Sequence, residues 1–139
     1  MDTAQLTWNE GLTFTGAVAS GQTLQASSDK DDQGVKKGFG PMELMALSVG
    51  ACTAMDVISI LEKKHQEVTA FEIKVNSERA ENHPRIFTSM EIEYILTGKA
   101  IDPTAVERAI ELSAEKYCSA QNIVKRSVDI QHTYKIIEA

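Results

Sequence analysis

The chain has 139 residues, 42% of them apolar, which suits one domain with its own core and argues against disorder. Its formal net charge of −6 argues against nucleic acid or anionic lipid as a partner, since both need clustered Lys and Arg. Met1 to Glu10 lacks a basic stretch followed by an apolar one, and the best candidate span, Met42 to Leu61, carries Glu43, Ser48 and Asp56. No secretory signal or membrane span is therefore expected, and the two cysteines are read as reduced thiols of a cytoplasmic protein.

The first third reads as strands. Gln5 to Trp8 alternates weakly, and Leu12, Phe14 and Gly16 alternate with Thr13, Thr15 and Ala17. The Asn9-Glu10-Gly11 break between them suits a hairpin. Thr23 to Ala26 suits a third strand. Ser27 to Gly40 is polar and glycine-bearing, expected as a solvated, mobile loop or a lid.

Pro41 is placed to open a long helix, because its missing N–H has no partner to lose there. Met42 to about His65 follows without another proline, a span of ~35 Å at helical rise. It is apolar on nearly all sides, the mark of a buried central helix. Thr69 to Ser77 and Ile86 to Leu96 then read as strands around the polar turn Glu78 to Pro84. Asp102-Pro103 has the form of an N-cap and first helical residue. That second helix is expected to run to Lys116-Tyr117, with a short helical turn through Ile123 after Cys118-Ser119. Val128 to Ile137 is the last strand. The order β-β-β-α-β-β-α-β, with strands clustered, predicts an α+β fold with a largely antiparallel sheet in a single domain over 1–139.

The central helix carries one polar stripe. At about 100° per residue, Ser48, Cys52, Asp56, Ser59 and Lys63 fall within about 40° of one line. The stripe either faces solvent or a partner, or flanks the thiol in a cleft. A thiolate needs a cation or a helix N-terminus nearby. Asp56, one turn from Cys52, acts in the opposite sense unless it holds a cation, and Lys63 is three turns off. Any activator of Cys52 must therefore come from another element. Cys118 lies between two helical segments, where it is either a buried helix-end residue or a reachable thiol able to close a disulfide. Two cysteines without a CxxC cannot form a zinc site alone, so no metal site is expected.

The stretch Gly38-Phe39-Gly40-Pro41-Met42-Glu43-Leu44-Met45, leading into Val49-Gly50-Ala51-Cys52, resembles the OsmC/Ohr family of osmotically inducible and organic hydroperoxide resistance proteins. So does Tyr117-Cys118-Ser119 after the second helix. The resemblance implies an intertwined homodimer with its active sites at the subunit interface. It also implies reduction of organic hydroperoxides or hydrogen peroxide in oxidative-stress defence. Cys52 would be the peroxidatic residue and Cys118 the resolving one. An unidentified external dithiol would be the reductant, with no metal or organic cofactor.

The chain departs from the family pattern at the activators. In that pattern an Arg from the N-terminal strands and a Glu directly after the helix-opening Pro support the thiolate. Here Met42 follows Pro41, Glu43 comes one place later on the side of the helix away from Cys52, and no Arg precedes Arg79. The candidate activators are thus Arg79, Glu43 and Asp56, with Lys36 and Lys37 as further cations. A pocket that binds a small apolar or acyl ligand on the same dimeric scaffold is the alternative function, and a redox sensor or a structural dimer is a third.

Overall fold

The computed structural model describes all 139 residues. It contains two compact units, Met1–Met45 and Ala46–Ala139.

In the first unit β1 (Ala4–Glu10), β2 (Thr13–Val18) and β3 (Thr23–Ser27) form an antiparallel sheet in the order β1-β2-β3. The β1–β2 turn depends on Gly11 at φ +52, a left-handed backbone where a side chain is strained. The polar segment after β3 is tied down by Asp29. Its carboxylate accepts hydrogen bonds from the Leu12 N–H and the Thr13 hydroxyl, both at 2.9 Å. Those two bonds, the Leu12 N–H first, hold the Asp29 carboxyl below the usual carboxylate range. Ser27 N–H then bonds Phe39 O at 3.0 Å and Phe39 N–H bonds Gln25 O at 2.9 Å, so the return of the chain is anchored along the edge of β3. The expected mobile loop is thus a hydrogen-bonded excursion.

Helix α1 (Pro41–Lys63) starts with Pro41 and is followed by a turn with His65 in the left-handed region at φ 58. Glu43 accepts from the Gly40 N–H at 2.9 Å, half of a capping box at the helix start. Lys36 Nζ meets the same carboxylate at 2.7 Å.

In the second unit β4 (Glu67–Arg79), β5 (Phe87–Lys99) and β6 (Asp129–Glu138) form a sheet in the order β4-β5-β6. β4 and β5 pair antiparallel, whereas β6 runs parallel to β5. The chain reaches β6 through a helical crossover, as a parallel neighbour requires: α2 (Pro103–Leu112), a π-helical turn at Ser113–Tyr117, and α3 (Ser119–Val124). The fold is α+β and largely antiparallel as expected, built as two three-stranded sheets with one parallel pairing.

The core of this unit is the face of β5 bearing Met90, Ile92, Tyr94 and Leu96, each at most 1% exposed. Val49, Val57 and Leu61 of α1 and Val106 and Ala109 of α2 are buried with them. Gly50 lets α1 lie close to β4, since a Cβ there would sit 3.1 Å from Val75 Cγ2. By length and composition alone α1 is long and apolar enough to cross a membrane, a test that the core helix of a soluble protein also passes. Within one chain only part of it is buried: Leu47 and Met55 remain 57% and 69% exposed.

Candidate active site

Three side chains from the second unit converge. The Cys52 sulfur, the Cys118 sulfur and a carboxylate oxygen of Asp56 all lie within 4.8 Å of one another. Cys52 and Asp56 are one helical turn apart on α1 and therefore share a face. Cys118 arrives from the α2–α3 crossover. Cys52 is half-buried and Cys118 fully buried.

The crossover geometry explains how Cys118 gets there. The π turn widens the helix by one residue, so that the Cys118 N–H bonds the Ser113 carbonyl at 2.8 Å. Ser113, at the start of that turn, donates its hydroxyl to Asp56 Oδ2 at 2.9 Å. The chain then becomes extended at Cys118 (φ −75, ψ 105), which caps α3: its sulfur accepts the Gln121 N–H at 3.3 Å. One irregular turn thus fixes both the carboxylate and the second thiol.

A buried polar network surrounds Cys118. Thr53 Oγ1 lies 3.4 Å from Cys118 Sγ, and Gln121 Nε2 donates to Thr53 Oγ1 at 2.7 Å. The Gln121 side chain also hydrogen-bonds Tyr94, whose hydroxyl is 2.9 Å from His132 Nδ1. Tyr94 and His132 stack with ring centroids 5.9 Å apart.

Charge states follow from this environment. Burial pushes the Cys118 thiol up, bonds from Thr53 and the Gln121 N–H pull it back, and the neighbouring Cys52 pushes it up again. Cys118 therefore keeps its proton beside Cys52. Burial raises the Tyr94 hydroxyl, with the adjacent Cys118 adding to the effect and Gln121 opposing it. Burial lowers His132, partly offset by Glu115. His132 is thus neutral at pH 7, so the network conveys hydrogen bonds and places no positive charge at the sulfurs.

The remaining candidates have local partners. Glu43 is engaged by Lys36 first and the Gly40 N–H second, which together hold its carboxyl below the usual range. Arg79 donates from Nε to the Arg85 carbonyl at 2.9 Å and closes the β4–β5 turn. Sequence reasoning missed Thr53, Gln121 and Ser113. The spacing Cys118-Ser119-Ala120-Gln121 does follow the pattern of a cap and its third helical residue, and it was the available signal for Gln121.

A separate cavity of about 890 Å³ opens between the crossover and β6, lined by Ile110, Glu115, Gln121, Lys125, His132 and Tyr134 among others. Gln121 lines it and also touches the thiol cluster. Cys52, Asp56 and Cys118 do not line it.

The family model for OsmC-like protein matches residues 32–133, a stretch that includes both cysteines. The chain belongs to the OsmC-like family. Protein YhfA of Escherichia coli K12 is 42% identical over 136 residues, covering 98% of each chain. A crystal structure of a hypothetical protein from Aquifex aeolicus VF5 is 32% identical with a TM-score of 0.89, over 100% of this chain and 98% of that one. The organic hydroperoxide resistance protein OhrB of Bacillus subtilis has the same fold at 16% identity, with a TM-score of 0.65 over 96% and 98% of the two chains. The OsmC-like fold of this chain is thus shared with proteins of hydroperoxide resistance.

Proposed function

We propose that this OsmC-like protein is a cytoplasmic thiol peroxidase that reduces organic hydroperoxides or hydrogen peroxide, acting as one functional domain over 1–139. The supporting observation is the meeting of two sulfurs within 4.8 Å, one half-exposed and one buried. The kinship with hydroperoxide resistance proteins adds to it.

In this reading Cys52, the reachable thiol, loses its proton and attacks the terminal oxygen of the peroxide. The O–O bond breaks, the alcohol or water leaves with a proton, and Cys52 becomes a sulfenic acid. Cys118 then attacks the Cys52 sulfur. Its proton joins the departing hydroxide as water, and the two sulfurs form a disulfide. The retained proton on Cys118 fits that step, because it supplies the leaving group. An external dithiol reduces the disulfide, and no metal or organic cofactor takes part. Within one chain Arg79 and Glu43 have local partners, the Arg85 carbonyl for Arg79 and Lys36 with the Gly40 N–H for Glu43. The Cys118 sulfur has Thr53 and the Gln121 amide as hydrogen-bond partners.

The working form is a homodimer. Leu47 and Met55 on α1 present apolar surface in a single chain, and a second copy would cover it.

One equivalent of cumene hydroperoxide should consume both thiols and leave a Cys52–Cys118 disulfide, read by thiol titration and peptide mass spectrometry. Cys52→Ser should abolish turnover, and Cys118→Ser should trap a dimedone-reactive sulfenic acid. Unchanged thiol content after a tenfold excess of peroxide would remove the redox reading.

The 890 Å³ cavity favours a second reading, a binding protein for a small ligand with an apolar body. Native mass spectrometry of freshly purified protein separates the two: a bound mass with inert thiols supports the binder.

A further inference from the structure

Asp56 is the member of the cluster that thiol chemistry does not use. A carboxylate beside a thiol disfavours the thiolate. Yet a carboxylate oxygen stands within 4.8 Å of both sulfurs, and Ser113 holds the carboxylate through Oδ2 at 2.9 Å. An acidic group there has the wrong sign for an anion and the right sign for a cation. We infer that Cys52, Asp56 and Cys118 form a three-ligand site for a thiophilic divalent cation of the zinc class, with a fourth position open to water.

The geometry is close to what such an ion demands. Tetrahedral zinc, with bonds of ~2.3 Å to sulfur and ~2.1 Å to oxygen, needs its ligand atoms ~3.4–3.8 Å apart. Closing from the observed spread takes side-chain rotations and small shifts of the crossover. Cys52 and Asp56 already share one face of α1, a spacing of i and i+4. Two of the three ligands also have outer hydrogen-bond partners of the kind that orient metal ligands: Ser113 on Asp56, and Thr53 and the Gln121 amide on Cys118. Cys52 is half-exposed, so the entry path and the open position lie on its side. The missing CxxC is thus replaced by a third ligand supplied from the helix. Binding transfers each thiol proton to solvent and engages both sulfurs, so an occupied site and free thiols exclude each other.

The test is titration of the reduced, chelator-stripped full chain with Cd²⁺ and Zn²⁺. Thiolate-to-cadmium ultraviolet absorbance reports sulfur ligation, and calorimetry reports zinc affinity and stoichiometry. One cation per chain is expected, with the absorbance lost in Cys52→Ala and Cys118→Ala. Affinity should fall by about tenfold or more in Asp56→Asn, and about tenfold in Ser113→Ala, which removes only an outer partner. Iodoacetamide alkylation of Cys52 in the unmutated chain should also abolish the absorbance, a readout that does not depend on how any variant folds. Binding that survives alkylation, no sulfur absorbance at millimolar cadmium, or an unchanged affinity in folded Asp56→Asn would each overturn the assignment. None of these readouts requires peroxidase activity.

Discussion

At the scale of single residues, Cys118 is held by neighbours that look unremarkable in the sequence. Thr53 stands beside Cys52 in the chain but serves the other cysteine, accepting from Gln121 and meeting Cys118. Thr53→Val keeps the shape and leaves the buried Gln121 amide without its acceptor. It should cost about 1–3 kcal/mol, measured by urea unfolding of the reduced protein. It should also slow disulfide formation relative to the first thiol oxidation, which stopped-flow fluorescence would resolve. The polar stripe of Cys52 and Asp56 was legible in the sequence because helical periodicity alone places them. The local partners of Arg79 and Glu43 were not. Arg79 turns back to the carbonyl of Arg85, and Glu43 is taken up by Lys36 and Gly40. Such local partners depend on turn geometry that composition does not encode.

At the scale of elements, local signals were the reliable ones. Asp102 and Pro103 start α2 as read, with the Asp102 side chain accepting the Thr104 N–H at 3.0 Å. Asp102→Ala should therefore lower stability by about 1 kcal/mol without touching the thiols, checked by unfolding and by peroxide consumption. The alternation Met90, Ile92, Tyr94, Leu96 likewise identified the buried face of β5. The direction of β6 was not readable, because β-ladder partners are chosen across long stretches of chain. A crossover with three helical pieces delivers it parallel to β5. Nor did the polar composition of 27–40 reveal that Asp29 would tether the segment through Leu12 and Thr13. The π turn was equally hidden. Ser113 to Tyr117 continues the apolar pattern of a helix well enough to read as one.

At the scale of the whole molecule, two properties can be measured. Burial lowers His132 from its ordinary value of 6.5, so the unfolded chain binds more protons than the folded one just below that pH. Stability should rise with pH across the window beneath 6.5 and level off above it. The Asp29 and Glu43 carboxyls are also lowered, from 3.8 and 4.5, so their stabilisation is lost only at more acid pH. Urea midpoints at intervals from pH 5 to 7.5 should show the upper slope in the unmutated chain and lose it in His132→Gln. The second property is association. Met55→Lys places a charge on the exposed apolar side of α1, and sedimentation velocity should show the proposed dimer dissociating already at higher concentration than in the parent.

The cap on α3 has a consequence for the proposed thiol cycle. In that cycle the sulfur that the Gln121 amide grips is the same atom that turns toward Cys52, so a spent molecule would unlatch the first turn of a six-residue helix. Amide exchange at Gln121 should then quicken on oxidation and slow again on reduction. A reductant could tell an exhausted copy from a rested one by the loosened backbone it meets, before any electrons pass.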